Sequence, residues 1–116
     1  MADAIYHLAD AAAWPGAMAA GQYHGTAFDR QDGFIHFSSA AEVRASAAKH
    51  RAGRDDVVLV AVDPARLGAA LKWEAARGGV LFPHLYGPLD IAAVLWSVPL
   101  PLGPDGVHQF PETVAP

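Results

Sequence analysis

The amino-acid sequence predicts an α+β domain: a mostly antiparallel sheet carrying two early helices. Three observations support this. Alanine-rich stretches at 11–20 and 40–52 read as helices, and both fall in the first half of the chain. The second half is a succession of short apolar runs separated by Asp-Pro, Gly-Gly and Tyr-Gly-Pro turns. That order, helices early and strands late, favours a mixed or antiparallel sheet over a regular βαβ unit, and no glycine-rich dinucleotide loop, phosphate loop, His-Glu-x-x-His or Gly-x-Ser-x-Gly motif is present.

The elements follow in order. Ala4 to Leu8 is short and apolar and reads as a first strand. Asp10 is placed to cap the helix that follows, because a carboxylate accepts from the free amides of a first turn. Trp14 and Met18 lie four apart on one helical face, Pro15 restricts the helix to a late start or a bend, and Gly21 ends it. Residues 22–33 are turn-rich. Phe34 to Phe37 is a short strand, and Ser39 with Glu42 has capping-box spacing for a second helix that stops at Gly53. Val57 to Val62 is a continuous apolar run rich in β-branched residues, hence a central strand. Leu71 to Glu74, Val80 to Leu85 and Val94 to Pro99 are further short strands. Residues 1–99 form a single α+β domain on this reading, and the proline-rich residues 100–116 form a tail packed on it through Phe110.

Composition narrows the function classes. The chain has 116 residues and is 53% hydrophobic, enough for one core that buries roughly 65% of the unfolded surface. It has no cysteine, which excludes disulfides and thiolate-bound metals. A formal net charge of -4 argues against broad capture of nucleic acid, and the basic residues gather between Arg44 and Arg54. No apolar run reaches the roughly 18 residues of a membrane span. The start MADAIYHLADAAAW has no basic leader region, so a cytoplasmic location is expected.

The candidate chemistry rests on histidines. Alternation puts His7 on the face opposite Tyr6 and Leu8, and puts His36 on one face with Phe34 and Ser38. A histidine there can donate from one ring nitrogen and accept at the other, which suits gripping a ribose hydroxyl. It suits holding a loop carbonyl equally well. Ser38 or Ser39 caps the helix, and the free amides there would also receive an anion. Trp73-Glu74 sets a carboxylate beside a ring, where it can stabilise a cationic transition state or pair with Lys72 or an arginine. Phe82 to Pro88 fixes the backbone with two prolines and a glycine while presenting His84 and Tyr86 at strand spacing. His24 is a further histidine of the set, but no short metal-ligand spacing is present and no metal is assigned. His50 and His108 read as surface residues.

These segments also carry a resemblance. Tyr6 to Asp10 (YHLAD), Gly33 to Ser38 (GFIHFS), the Asp63-Pro64-x-x-Leu67 turn, Lys72 to Glu74 (KWE) and Phe82 to Leu89 (FPHLYGPL) resemble the bacterial family numbered 952 among domains of unknown function. The resemblance covers nearly the whole chain to about Pro99. It implies a fold related to ADP-ribosyltransferases, a split, mostly antiparallel sheet with a cleft for NAD. A more distant similarity is to the NAD-dependent RNA 2'-phosphotransferases. Their strand ending in His-Val-His-Leu-Ser is matched by Phe34 to Ser38, and their basic stretch by Lys49 to Gly53. By that comparison His7 falls where they carry the histidine of a His-Gly-Thr motif, although Leu8-Ala9 follow it here.

The resemblance implies NAD, or a related small nucleotide, as the ligand. His7, His36, Ser38, His84 and Tyr86 would bind it, and Glu74 with His36 would carry any chemistry. The alternatives are a non-catalytic nucleotide-binding module, a metal-dependent enzyme built on the histidines, and an interaction protein or homodimer that buries Phe82 to Pro88.

Overall fold

The valine-rich run Val57–Val62 lies in the middle of a sheet, where both of its faces can be buried. The computed structural model describes residues 3–114. In chain order the elements are β1 (Ile5–Asp10), α1 (Trp14–Ala20), β2 (Gln22–Tyr23), α2 (Ala27–Asp32), β3 (Ile35–His36), α3 (Val43–His50), β4 (Val57–Val62), β5 (Leu71–Ala75), β6 (Leu81–Leu85), β7 (Leu89–Asp90) and β8 (Val94–Pro99), with short 3-10 turns between several of them. They form three sheets of order β1-β4-β8, β2-β7 and β3-β6-β5, in which the paired strands run antiparallel.

A bridge joins the first and third sheets. The backbones of Tyr6 and Ser38 exchange two hydrogen bonds of 2.8 Å, so β1 pairs with β4 along one edge and touches the extension of β3 along the other. The fold is therefore a mixed α/β architecture with antiparallel sheets.

Successive residues of β1 and β4 alternate between two apolar clusters. Val60 and Val62 pack with Ile5, Ala9, Trp14, Tyr23, Phe37 and Leu85 in one cluster. Val57, Leu59 and Ala61 pack with Tyr6, Val43, Leu100 and Val114 in the other. The tail closes this second cluster. Arg44 donates to the Val114 carbonyl at 2.7 Å and lies over the Phe110 ring, with 5.0 Å to its centroid.

Several local expectations are corrected. There are three helices rather than two, because α2 occupies part of the turn-rich segment. Asp10 does not cap α1: antiparallel pairing with Val57 carries β1 through Asp10, and α1 starts at Trp14 with Pro15 in its first turn. Trp14 is buried but Met18 is exposed, so the two do not share a buried face. Ser39 and Glu42 do not form a capping box. The Ser39 carbonyl accepts from the amides of Glu42 and Val43 in a preceding turn, and α3 starts at Val43. That helix ends at His50, with Arg51 as its C-cap, before Gly53. His108 is buried rather than on the surface, its Nε2 held 2.6 Å from the Arg54 carbonyl. Among the described residues no helix is long and apolar enough to cross a membrane.

The central strand makes the first prediction. Leu59 is fully enclosed, so Leu59→Ala leaves a cavity that the neighbouring strands cannot fill. The expected loss is about 3 kcal/mol in urea unfolding. A loss below about 1 kcal/mol would show that β4 is not the packing centre.

Candidate functional site

The site grows from a short helix. Thr26 has an extended backbone, and its hydroxyl accepts from the Asp29 amide at 3.1 Å. The Asp29 carboxylate returns the bond, with Oδ2 accepting from the Thr26 amide at 2.7 Å. This reciprocal cap starts α2 and points Asp29 inward. Gly25 makes the approach feasible: its φ is +90°, and a Cβ there would lie 2.8 Å from the Asp29 Cβ.

The second carboxylate oxygen reaches β3. Oδ1 accepts from the His36 amide at 3.1 Å and from His36 Nδ1 at 2.6 Å. The other ring nitrogen, Nε2, donates to Asp32 at 3.0 Å. Two carboxylates facing both nitrogens call for a doubly protonated ring. Burial works against that charge, but Asp29 and then Asp32 outweigh it, and the His36 pKa is raised. Burial likewise works to raise Asp29, but the His36 ring and the Thr26 and His36 amides hold its carboxyl down at about 2. Phe28 stacks on the His36 ring at 4.6 Å between centroids.

His7 completes this half from β1. Its Nδ1 lies 2.6 Å from the His36 carbonyl, which can only accept, so Nδ1 carries the proton. Nε2 then accepts from the Tyr23 hydroxyl at 2.6 Å. Burial lowers the His7 pKa, and the ring stands neutral beside Asp29, whose Oδ2 is 3.6 Å away. Burial, followed by the nearby Asp29 charge, pushes Tyr23 up.

The other half is built on the β5–β6 hairpin. His84 lies opposite His36 in the pairing of β3 with β6, and opposite Lys72 in the pairing of β5 with β6. Its Nδ1 donates to Glu74 Oε1 at 2.8 Å, and the Tyr86 hydroxyl donates to the same oxygen at 2.7 Å. The Tyr86 and then the His84 hydrogen bonds lower the Glu74 pKa. The Phe34 ring stacks on His84 at 4.1 Å, and His36 meets it edge-on at 5.6 Å.

One cavity of about 420 Å³ opens between these halves and α3. His7, His36, Ser38 and His84 all line it, so four of the sequence-derived candidates converge. Glu74 and Tyr86 stand behind His84, outside the lining. Ser38 and Ser46 share a buried hydroxyl–hydroxyl bond of 2.8 Å in the wall. Arg51 and Arg54 also line it, the first bonded to Asp10 and the Leu8 carbonyl and the second to Asp56. Phe28 and Phe82 supply ring surface. Among the described residues, no three His, Asp or Glu side chains are grouped to hold a metal ion. His24 lies apart, on a second and smaller hollow.

The residues that sequence reasoning missed are Asp29, Thr26 and Tyr23. A Thr-x-x-Asp cap between Gly25 and Gly33 is the signal that would have found the first two.

Comparisons with known proteins agree with the segment resemblance. A family model described as a protein of unknown function, DUF952, matches residues 8–97. The crystal structure of protein CC0527 from Caulobacter crescentus is similar to this chain, with 43% identity, coverage of 96% of this chain and 97% of that one, and a TM-score of 0.90. The solution NMR structure of the same Caulobacter protein is similar at 45% identity, over 91% of each chain, with a TM-score of 0.81. No curated protein matches the chain.

The charge arrangement makes the second prediction. Asp29 has its pKa held below its unfolded value of 3.8, so its stabilisation is present above that pH and is lost as pH falls through about 2. At neutral pH it is worth about 2 kcal/mol. The raised pKa of His36 gives stabilisation that is complete below 6.5 and lost as pH rises through the folded value. The lowered pKa of His7 acts in the opposite sense, costing stability as pH falls below 6.5. NMR titration of the ring protons is expected to place His36 above 6.5 and His7 below it. In Asp29→Asn the His36 midpoint falls back, and an unchanged midpoint would show that Asp29 does not hold the charge.

Proposed function

The chain belongs to the DUF952 family, and we propose that this member binds NAD or a related small nucleotide in the cavity around His7, His36 and His84. The observation that carries the proposal is the convergence of His7, His36, Ser38 and His84, from separated parts of the chain, on one cavity of about 420 Å³. That volume is in the usual range for small-molecule sites. It takes one nucleoside half of a dinucleotide and leaves the other half along the open lip. Phe28, exposed at the lip and stacked on His36, offers a face to a base or a nicotinamide ring. Arg51 and Arg54, each already paired with a carboxylate, present guanidinium groups on the α3 side. The split antiparallel arrangement, with His7 on the first strand and His36 on the third, is read here as an ADP-ribosyltransferase-like frame. A cytoplasmic setting, where nucleotides are abundant, goes with it.

Cleavage of the nicotinamide–ribose bond would need a carboxylate facing the ribose. Asp29 is spent on His36 and Thr26, and Glu74 is engaged behind His84. That engagement favours, as a second reading, a binding module without turnover.

Calorimetric titration with NAD, against adenosine monophosphate and buffer, tests the proposal. Saturable binding with a dissociation constant below the millimolar range is expected. Phe28→Ala, which removes an exposed ring, is expected to weaken it about fivefold through lost stacking. No heat at millimolar NAD would sink the reading. Released nicotinamide over hours at saturation would decide for turnover.

A further inference from the structure

We infer that Glu74 is a positioning residue, and that His84 Nε2 is the protein atom that accepts a hydrogen bond from a hydroxyl or N–H of the bound ligand. The inference rests on the cavity being a ligand site.

The three histidines at the cavity differ in what they have left to offer. His7 spends both ring nitrogens inside the protein, on the His36 carbonyl and the Tyr23 hydroxyl. His36 spends both on Asp29 and Asp32. His84 spends only Nδ1, on Glu74, and its Nε2 makes no hydrogen bond to the protein among the described residues. Yet His84 is a wall residue of the cavity.

Its ring is also fixed in orientation. Phe34 stacks on it with an interplanar angle of 25°, and His36 meets it edge-on at 70°. The Tyr86 hydroxyl holds the Glu74 oxygen that receives Nδ1. A carboxylate can only accept, so this contact puts the proton of the neutral ring on Nδ1. Nε2 is then a lone pair with a fixed direction, and it selects a donor. A ribose hydroxyl or a carboxamide N–H satisfies it, whereas a ligand edge carrying only acceptors leaves it unpaired. Glu74 lies outside the lining and acts through this ring.

The test has an arm that needs no ligand. Long-range nitrogen–proton NMR on the free chain at pH 8 reads the tautomer of His84. Wild type and Glu74→Gln are expected to show the proton on Nδ1, because the glutamine carbonyl still accepts from it. Glu74→Ala is expected to show a mixture of tautomers. NAD titration is the second arm. Glu74→Ala and His84→Phe are each expected to weaken binding about tenfold, the equivalent of one hydrogen bond, with Glu74→Gln within about threefold of wild type. Combining Glu74→Ala with His84→Phe is expected to weaken binding no further than His84→Phe alone.

A tautomer unchanged in Glu74→Ala would overturn the positioning role. Equal weakening by Gln and Ala would overturn it too, because the carboxylate itself would then be meeting the ligand. His84→Phe binding NAD as tightly as wild type would remove His84 as the acceptor, with melting temperature confirming that the variant folds. Failure of the wild-type chain to bind NAD would overturn the nucleotide reading, and the tautomer comparison would still decide whether Glu74 sets the ring.

Discussion

The site depends on the buried carboxylate of Asp29. A charge that is only 2% exposed must be compensated locally, and Asp29 finds its compensation in the Thr26 amide, the His36 amide and the His36 ring. Each contact fixes a different part of the structure. The first starts α2, the second sets where β3 begins, and the third orients the cavity wall. His7 extends the constraint, because its Nδ1 holds the carbonyl of the same residue whose ring Asp29 holds. Moving any one of these groups leaves a buried polar partner unsatisfied, which costs more than a typical hydrogen bond contributes.

The sequence made some of this visible and hid the rest for physical reasons. The strand at 57–62 was legible because four valines fall in one apolar run, and those at 71–74 and 94–99 because short segments with large apolar side chains lie between turn residues. His7, His36, Ser38 and His84 were legible as site candidates because strand alternation and the Phe82–Pro88 backbone constrain where they point. Helix α2 was not legible. It is six residues long, carries no apolar period and sits between two glycines, so its stability comes from its cap and from Asp29 rather than from its sequence. Asp29 looked like one more turn aspartate for the same reason. Ser39 misled in the opposite way. Its spacing to Glu42 fits a cap, but backbone turn bonds to the Ser39 carbonyl fill that role and the helix starts later.

The cavity is a consequence of the split between sheets. In β1 the groups of Tyr6, Leu8 and Asp10 turn away from β4. Tyr6 satisfies them with Ser38, but no strand continues past that bridge, and the Leu8 carbonyl takes Arg51 while the Asp10 carbonyl takes the Ala13 amide. Side-chain and turn contacts thus replace a strand, and the volume that the strand would have filled stays open. Arg51 is held there by Asp10 as well, so it braces the opening rather than swinging free within it.

Two carboxylate-held imidazoles, His36 and His84, line this opening, and their difference is one of availability. In the Asp29–Asp32–His36 arrangement every strong donor of the ring is satisfied internally, so the ring gives shape, charge and a stacking surface but no further hydrogen bond. In the Glu74–His84 pair the carboxylate is half exposed and only one nitrogen is taken. The first pair gains order by closing its hydrogen-bond valence. The second leaves Nε2 without a protein partner at the wall of the cavity. The cavity wall therefore has a half built on Asp29, where both ring nitrogens of His36 are engaged within the protein, and a half built on His84, where one ring nitrogen is not.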